Sequence, residues 1–229
     1  MRAVLLAAGL GTRLRPLTDT VPKCLVPIKG KPLLDIWIES LLQAGVERIL
    51  VNLHYKHELV EDHIAKSVYR EQVETVFEQE LLGTAGTLVT NRDFFQGEDG
   101  IFIHADNYSE ADLSQLIELH GQRPKSCLMT MLAFRTDTPQ TCGILELDAQ
   151  NILQKMYEKS PENHGNLANA ALYILSSELV ASVTTEHDFS TQVIPKLLKR
   201  IYVVETDKIY IDIGTPESYQ RAQEIANVD

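Results

Sequence analysis

The sequence predicts an α/β fold in which a mixed, mostly parallel sheet is covered by helices and continues into a small antiparallel extension. Three observations support this prediction. Residues 1–120 alternate short apolar segments with segments of helical periodicity, as expected for a parallel sheet with helices on both faces. In residues 121–229 the regular alternation of strands and helices stops, and successive strand patterns are separated by turns. The 229 residues are 44% hydrophobic and 23% charged, which is an ordinary globular composition.

The first half opens with a β-branched and aliphatic segment at 2–7, which predicts a buried strand. After a long loop, Pro32 suits the first position of a helix and Gly45 suits its end. The apolar positions at helical spacing between them are Leu34, Trp37, Leu41 and Ala44. Further strands are predicted at 47–53, 73–77 and 101–105, and further helices at 56–69, 84–89 and 113–120.

The second half contains more strands and fewer helices. A helix is predicted at 190–199, where Pro195 is able to break it, and another at 215–227. In the last helix Thr215 is the expected N-cap and Pro216 the first helical residue. The predicted strands are 127–134, 143–147, 152–157, 170–175, 201–205 and 209–213. No linker or repeat interrupts the pattern, so a single domain over 1–229 is the simplest prediction.

The charge pattern points to a local anion site. The chain has 21 Lys and Arg against 32 Asp and Glu, and its net charge of −11 argues against a general nucleic-acid binder. Residues 1–31 nevertheless hold six basic side chains and one acid, Asp19. The apolar stretch at 4–10 is too short to span a membrane and lacks the flanks of a signal peptide, so a cytoplasmic protein is expected. The three cysteines form no CxxC pair, which favours reduced thiols.

The first candidate site is the glycine-containing loop at 8–14, directly after the first predicted strand. Gly9 and Gly11 allow the backbone to approach an anion closely and to offer N–H groups to it. The dinucleotide fingerprint is excluded because Leu14 stands at its third glycine, and a P-loop is excluded because no Gly-Lys-Ser/Thr follows. Together with Arg13 and Lys23, the loop suits a polyphosphate at the carboxyl ends of the strands.

Two aspartates follow apolar strand patterns and can reach the same sheet edge. Asp106 and Asp212 would each alone be read as a turn or capping residue, but beside a phosphate loop they predict a Mg²⁺ site. Glu158-Lys159 has two readings, a phosphate and hydroxyl contact or an exposed ion pair. The segment from Glu78 to Gly86 also has two interpretations: it contacts the guanine edge, or it is a helix N-terminus with acidic residues.

These motifs, in this order, resemble the sugar-1-phosphate nucleotidylyltransferase family over essentially the whole chain. The most specific block is Leu6-Ala7-Ala8-Gly9-Leu10-Gly11-Thr12-Arg13-Leu14 followed by Pro16-Leu17-Thr18. The later blocks are Pro22-Lys23, Gly30-Lys31-Pro32-Leu33, Gly83-Thr84-Ala85-Gly86, Asp106, Glu158-Lys159, Asn169-Ala170-Ala171-Leu172-Tyr173-Ile174 and Asp212-Ile213-Gly214-Thr215-Pro216. Ala171 departs from the family pattern, which commonly has glycine there.

The resemblance implies a Rossmann-like three-layer sandwich with a nucleotide-binding half, 1–120, and a sugar-phosphate-binding half, 121–229. It implies Mg²⁺ as cofactor, held by Asp106 and Asp212, and catalytic roles for Arg13 and Lys23. The nucleotide contacts that it implies are Leu6, Ala8, Gly9, Gly11, Thr12, Arg13, Glu78, Gly83, Thr84 and Asp106. The sugar-phosphate contacts that it implies are Asn107, Gly143, Glu158, Lys159 and Asn169.

The reaction implied by the resemblance is transfer of a nucleoside monophosphate from an NTP to a sugar 1-phosphate, with release of pyrophosphate. The segment around Gly83 resembles guanylyltransferases acting on mannose or D-glycero-D-manno-heptose 1-phosphate, although Glu78 and Glu80 flank the position of their glutamate. Cytidylyltransferases for phosphocholine and uridylyltransferases for N-acetylmuramic acid 1-phosphate stay open as alternatives. A non-catalytic regulatory relative is disfavoured because Arg13, Lys23, Asp106 and Asp212 are all present. The expected partners are these small molecules, without nucleic acid or membrane, and a homo-oligomer is possible.

Overall fold

The structure of the protein is a computed structural model that describes residues 1–227. The strands are β1 (Arg2–Leu6), β2 (Pro27–Ile28), β3 (Lys31–Pro32), β4 (Arg48–Leu53), β5 (Val73–Phe77), β6 (Gly100–His104), β7 (Asn107–Ser109), β8 (Met129–Arg135), β9 (Gly143–Leu147), β10 (Leu153–Glu158), β11 (Leu167–Leu175), β12 (Ile201–Glu205) and β13 (Tyr210–Asp212). The helices are α1 (Leu33–Gln43), α2 (His57–Lys66), α3 (Thr84–Thr90), α4 (Leu113–Gly121), α5 (Ser177–Ser182) and α6 (Pro216–Ile225). The α/β class predicted from the sequence is confirmed.

The chain forms two compact units. The first contains residues 1–81, 103–113 and the described residues from 208 onward, and the second contains residues 82–102 and 114–207. The first unit is therefore assembled from three separate stretches of sequence. The predicted single domain over 1–229, with its halves at 1–120 and 121–229, stays a prediction.

The first unit is built on parallel strands. β1 pairs with β4 and β4 pairs with β5, both in parallel, as the alternation of strands and helices predicts. The helix α1 buries the apolar face predicted for it, including Leu34, Trp37 and Leu41. Gly45 ends α1 with a φ of 84°, and the N–H groups of Gly45 and Val46 close the helix onto the carbonyls of Leu42 and Leu41.

The long loop predicted between β1 and α1 is more ordered than the sequence indicates. It contains three short 3₁₀ turns, and the two-residue strands β2 and β3 form an antiparallel ribbon before the helix. Pro32 belongs to this ribbon and precedes α1, so the prediction that Pro32 is the first helical residue is off by one position.

The strands of the second unit pair mainly antiparallel, as the succession of strand patterns and turns after residue 120 predicts. β9 pairs with β10 and β11, and β11 pairs with β8, all antiparallel. β12 then adds to β8 in parallel. Its core contains Phe102, Tyr173 and Phe189, and the ring of Phe189 lies 5.3 Å from that of Phe102 and 4.9 Å from that of Tyr173.

The helix predicted at 190–199 is wrong in type. The structure has a π-helical turn at Phe189–Val193 followed by a 3₁₀ turn at Ile194–Leu197. Pro195 removes a backbone donor there, which prevents a regular α-helix from continuing. The last helix begins as predicted, because Thr215 caps it through a capping box with Ser218 and Pro216 is its first residue.

Three cysteines are free in the described chain, as their spacing predicts. Burial raises the pKa of Cys24 to about 12, so this thiol stays protonated at neutral pH. Among residues 1–227, every helix is too short or too polar to pass through a lipid bilayer.

Candidate active site

The glycine loop leaves the end of β1 and folds back on itself. Gly11 adopts a φ of 64°, a conformation that favours glycine, and its carbonyl accepts hydrogen bonds from the Leu14 N–H at 3.0 Å and the Thr18 hydroxyl at 2.7 Å. A Cβ at Gly11 would lie 2.9 Å from the methyl of Thr18 and 3.4 Å from the Cβ of Lys23. The loop therefore requires glycine at this position, and Lys23 lies directly beside it.

Lys23 lies between the two predicted metal ligands. Its side chain is only 8% exposed, and its Nζ lies 2.8 Å from Oδ2 of Asp106 and 3.5 Å from Oδ1 of Asp212. Sequence positions 23, 106 and 212 thus converge at one point of the first unit, as the sequence predicts for the two aspartates. A buried ammonium is stable only with such partners, because an unpaired buried charge is costly.

The convergence of the two aspartates follows from the ribbon formed by β7 and β13. Asp212 pairs with Asn107 in this ribbon, and the N–H of Ile213 donates to the carbonyl of Asp106 at 3.3 Å. Trp37 fixes the ribbon to α1, because its indole N–H donates to the carbonyl of Asn107 at 2.8 Å. The side chain of Asn107 is buried and donates to the carbonyl of His104. Its predicted contact with a sugar phosphate stays a prediction.

The carboxyl of Asp106 is held in its charged form. Burial works to raise its pKa, but the charge of Lys23, the charge of His104 and the hydrogen bond from Lys23 outweigh burial and hold the pKa below its ordinary value. Two ionised carboxylates that meet at one cation are the oxygen ligands that Mg²⁺ takes from proteins, with substrate phosphates and waters supplying the others. The residues present therefore fit a divalent ion of this kind.

Arg13 lies at the outer side of this cluster. Its guanidinium is 67% exposed and lies 3.8 Å from Oδ2 of Asp212, a loose contact that leaves the side chain able to turn toward an anionic ligand. Gly214 provides the space for both, because a Cβ there would lie 3.0 Å from Arg13 and from Asp212. Ala8 and Leu6 frame the start of the loop, where the carbonyl of Leu6 accepts from the N–H of Ala105 at 3.0 Å.

Glu78 lies at the end of β5 and is buried. Its Oε1 accepts a hydrogen bond of 2.9 Å from the amide of Asn52, and the Oδ1 of Asn52 accepts one of 2.7 Å from the N–H of Ala7. Its backbone is fixed as well, because its N–H donates to Leu53 and its carbonyl lies 2.7 Å from Nδ1 of His54. The predicted base contact Glu78 is thus connected through Asn52 to Ala7, the residue directly before the glycine loop.

In the second unit, Gly83 and Thr84 form a turn clamped by residues 187–189. Gly83 has a φ of 78°, and a Cβ there would lie 2.3 Å from the carbonyl oxygen of His187. That carbonyl accepts from the N–H of Ala85 at 3.0 Å, and the Thr84 hydroxyl accepts from the N–H of Phe189 at 2.7 Å. The first glycine of the Gly-Thr-Ala-Gly motif, Gly83, is therefore required because the backbone of His187 approaches it closely.

Gly143 and Glu158 are paired across β9 and β10. A Cβ at Gly143 would lie 2.8 Å from Oε2 of Glu158, so glycine makes room for this carboxylate. Lys159 follows with a φ of 47°, its N–H donates to the carbonyl of Cys142, and its ammonium lies 3.8 Å from Glu158. The exposed ion pair considered for this dipeptide is present, and its role in phosphate binding stays a prediction.

Asn169 lies at a β-bulge of β11. Its amide donates to the hydroxyl of buried Tyr173 at 2.8 Å, and its Oδ1 accepts from the N–H of Ala171 at 2.9 Å. Ala171 has a φ of 49°, which explains the glycine that the family pattern has at this position.

Sequence patterns missed the residues that hold the predicted contacts in place. Asn52 gives one signal, because it is a polar residue inside the apolar strand 49–53, whereas Thr18 and Tyr173 belong to the family motifs without a predicted role. His187 and Phe189 act through their backbone atoms, which no side-chain pattern reveals.

Comparison with known proteins gives consistent matches along the chain. The model of the nucleotidyl transferase family matches residues 2–227. A putative mannose-1-phosphate guanyltransferase of Sulfolobus acidocaldarius is 34% identical over 226 residues, which are 96% of this chain and 61% of that protein. The mannose-1-phosphate guanyltransferase 2 of Candida glabrata is 32% identical over 228 residues, which are 96% of this chain and 63% of that protein. The chain thus spans about three fifths of the length of these curated relatives.

A solved structure is similar over nearly its full length. HddC from Yersinia pseudotuberculosis, crystallised in complex with GMP-PN, is 30% identical and superimposes with a TM-score of 0.81. The match covers 97% of this chain and 98% of that one.

Proposed function

Because this chain belongs to the nucleotidyl transferase family, we propose that it is a sugar-1-phosphate guanylyltransferase, which transfers GMP from GTP to a mannose- or heptose-type sugar 1-phosphate. The observation that carries the proposal is the buried Lys23 ammonium, held beside the glycine loop by Asp106 and Asp212. The names of the curated relatives and the nucleotide in the solved neighbour support guanine as the base.

In the proposed reaction, an oxygen of the sugar phosphate forms a bond to the α-phosphorus of GTP. The bond from that phosphorus to the bridging oxygen breaks, and its electron pair leaves with pyrophosphate. Both reactants are anionic, so positioning and charge neutralisation supply most of the catalysis. Lys23 and Arg13 would neutralise the phosphates, while Gly9, Gly11 and Thr12 would offer backbone N–H groups to the triphosphate.

The magnesium site belongs to the proposal. Asp106 and Asp212 would hold Mg²⁺, which supplies charge neutralisation at the phosphates. Lys23 lowers the pKa of Asp106 and holds the two carboxylates close together before substrate binds, so the chain's own residues prepare the site.

The two substrates would use different sets of residues. In the first unit, Glu78 would accept hydrogen bonds from the guanine edge. The nucleotide contacts expected at Gly83 and Thr84 stay predictions. Glu158, Lys159 and Asn169 would bind the sugar phosphate, because their carboxylate, ammonium and amide groups match hydroxyl and phosphate ligands. Gly143, which faces Glu158, would be a further contact. A cytoplasmic location and a homo-oligomeric state stay predictions.

Pyrophosphate release tests the proposal directly. The five nucleoside triphosphates GTP, ATP, CTP, UTP and dTTP are crossed with mannose, heptose, glucose and N-acetylmuramic acid 1-phosphates and phosphocholine in the presence of Mg²⁺. The highest kcat/KM is expected for GTP with a manno-configured sugar. Turnover with a different pair would keep the reaction and reassign the base or sugar. Nucleotide binding without release from any pair would instead support a non-catalytic binding protein.

The metal part has its own test. Asp106→Asn and Asp212→Asn should each lower Mg²⁺-dependent turnover roughly 100-fold or more, because the oxygen ligands of the ion lose their charge. Both variants should also lose the Mg²⁺-dependent part of the thermal shift that GTP produces. Asp62→Asn, which removes an exposed carboxylate paired with Lys66 on α2, is the matched control and should resemble the parent. Normal turnover in both active-site variants would contradict the two-carboxylate site.

A further inference from the structure

Asn52 occupies an unusual place in β4. Its neighbours along the strand, Ile49, Val51 and Leu53, are apolar and buried, and Asn52 itself is only 3% exposed. Burying an amide is costly unless its donor and acceptor are both used. In this structure the Oδ1 accepts from the Ala7 N–H at 2.7 Å, and the Nδ2 donates to the Glu78 carboxylate at 2.9 Å.

The two bonds join the ends of three neighbouring parallel strands. β1 lies beside β4 and β4 lies beside β5, so Asn52 stands between the strand that leads into the glycine loop and the strand that ends at Glu78. A side chain in this place must accept from a backbone N–H on one side and donate to a carboxylate on the other. Asparagine does both in one short side chain, whereas aspartate has no donor when ionised and leucine has neither group.

We infer that Asn52 is a positioning residue for nucleotide selection, which fixes the Glu78 carboxylate at a set distance and orientation from the glycine loop. This inference rests on the proposed function, because it takes Glu78 as the group that recognises the base. One carboxylate oxygen is engaged by Asn52, so the direction of the other is defined. The same amide accepts a hydrogen bond from the backbone N–H of Ala7, so one side chain contacts both the proposed base-binding residue and the start of the phosphate loop.

The consequence is a specific dependence on the donor at position 52. Without the N–H of Asn52, the Glu78 carboxylate loses the hydrogen bond that orients this oxygen and the guanine contact weakens, although the groups that react at the α-phosphorus are untouched. The loss should therefore fall on KM for GTP and on preference for GTP over ATP, with a smaller effect on kcat. A role in folding alone would leave the GTP to ATP preference unchanged in the protein that remains folded.

The decisive variant is Asn52→Asp, which keeps the size of the side chain and the acceptor for Ala7 but replaces the donor by a carboxylate. At about pH 8, kcat/KM for GTP relative to the parent should fall roughly 10- to 100-fold, the range for losing a hydrogen bond to a charged group. Toward about pH 5.5 the two facing carboxylates share a proton, because like charges in contact hold one proton to higher pH. That proton restores a donor, so the relative loss should shrink as pH falls.

The experiment measures kcat and KM for GTP and ATP from pH 8 to 5.5 in parent and variant, well below the melting temperature. His54, whose ring faces the Glu78 carbonyl, is present in both proteins, so the ratio of variant to parent cancels any effect that the two share. Asn151→Asp adds a carboxylate in an exposed turn of the second unit and should give a flat ratio near one. In Asn52→Asp with Glu78→Gln, donor and acceptor are exchanged, so stability should return without guanine preference.

A ratio that stays flat with pH, or full GTP preference in Asn52→Asp at pH 8, would overturn the inference. The melting temperature of the variant, compared with the parent across the same pH range, tests the bond between Asn52 and Glu78 without any turnover. If the parent shows no preference for GTP, the proposed base contact fails. The melting data then still show whether Asn52 holds Glu78, so the two failures are distinguishable.

Discussion

At the scale of single residues, Gly143 and Glu158 face each other across two antiparallel strands. A hydrogen atom at position 143 is what leaves space for the Glu158 carboxylate, since a methyl group would lie 2.8 Å from Oε2. The atom that would be displaced is the end of a flexible side chain, not backbone. The strands can therefore accept a small side chain at position 143 if Glu158 rotates away.

We expect Gly143→Ala to separate folding from sugar-phosphate binding. The free energy of unfolding should change by less than about 1 kcal/mol, since only a side chain must move. KM for the sugar phosphate should rise roughly tenfold, because the carboxylate proposed to bind its hydroxyls is displaced. Gly121→Ala, where a Cβ meets nothing within 4 Å, is the matched control in urea unfolding and kinetics. An unchanged KM in Gly143→Ala would exclude Glu158 from that contact.

At the scale of elements, the turn that opens α3 is held by backbone atoms. The His187 carbonyl accepts from Ala85 and lies against Gly83, and the Thr84 hydroxyl accepts from Phe189. Since α3 has seven residues, its own helical hydrogen bonds are too few to stabilise it without such contacts. The segment 187–189 therefore determines where this helix begins.

Gly83→Ala should consequently destabilise the protein by about 2–4 kcal/mol, combining an unfavourable positive φ with a backbone clash. The clash is with the His187 carbonyl, which cannot rotate away as a side chain can. Urea unfolding of the variant beside Gly121→Ala measures the difference. A loss as small as that of the control would show that residues 187–189 yield easily and do not fix the turn.

Sequence patterns predicted elements best where one element supplies its own signal. The strands β1, β4 and β5 and the helix α1 are long enough to show periodicity, and each was predicted near its observed bounds. β7 and α5 were missed because three and six residues carry too little pattern, and β7 exists through its pairing with the distant β13. For the site, the convergence of Asp106 and Asp212 was predictable from strand ends. The position of Lys23 between them depends on tertiary packing.

At the scale of the whole molecule, His120 and Glu186 each contribute to the dependence of stability on pH. His120 is only 4% exposed on its side chain, with Nδ1 2.7 Å from the Thr130 hydroxyl and Nε2 3.1 Å from Asp99. Burial lowers the pKa of His120 to about 4, aided by the charge of Arg123 and opposed by Asp99. Glu186 behaves differently, because Lys196 and two backbone N–H groups lower its pKa to about 2.

These two groups act in separate ranges of pH. His120 has a pKa near 6.5 in the unfolded chain and a pKa of about 4 in the folded protein. The unfolded state therefore holds more protons between these values, and the free energy of unfolding falls as pH drops through this range. The Glu186 contribution is present above its ordinary pKa of 4.5 and is lost between about pH 4.5 and 2. The His120 contribution should thus begin to fall near pH 6.5, well above the range in which Glu186 is protonated.

Urea unfolding at closely spaced pH values from 8 to 4 should show a loss of at most about 3 kcal/mol attributable to His120. His120→Gln keeps a polar side chain but removes the titration, so it should be less stable at pH 8 because one hydrogen bond is lost. Its stability should nevertheless decline less steeply than that of the parent between pH 6.5 and 4, and the two curves should approach each other. Parallel curves over that range would mean that the folded protein accepts a proton on His120, and that its network with Asp99 tolerates the charge.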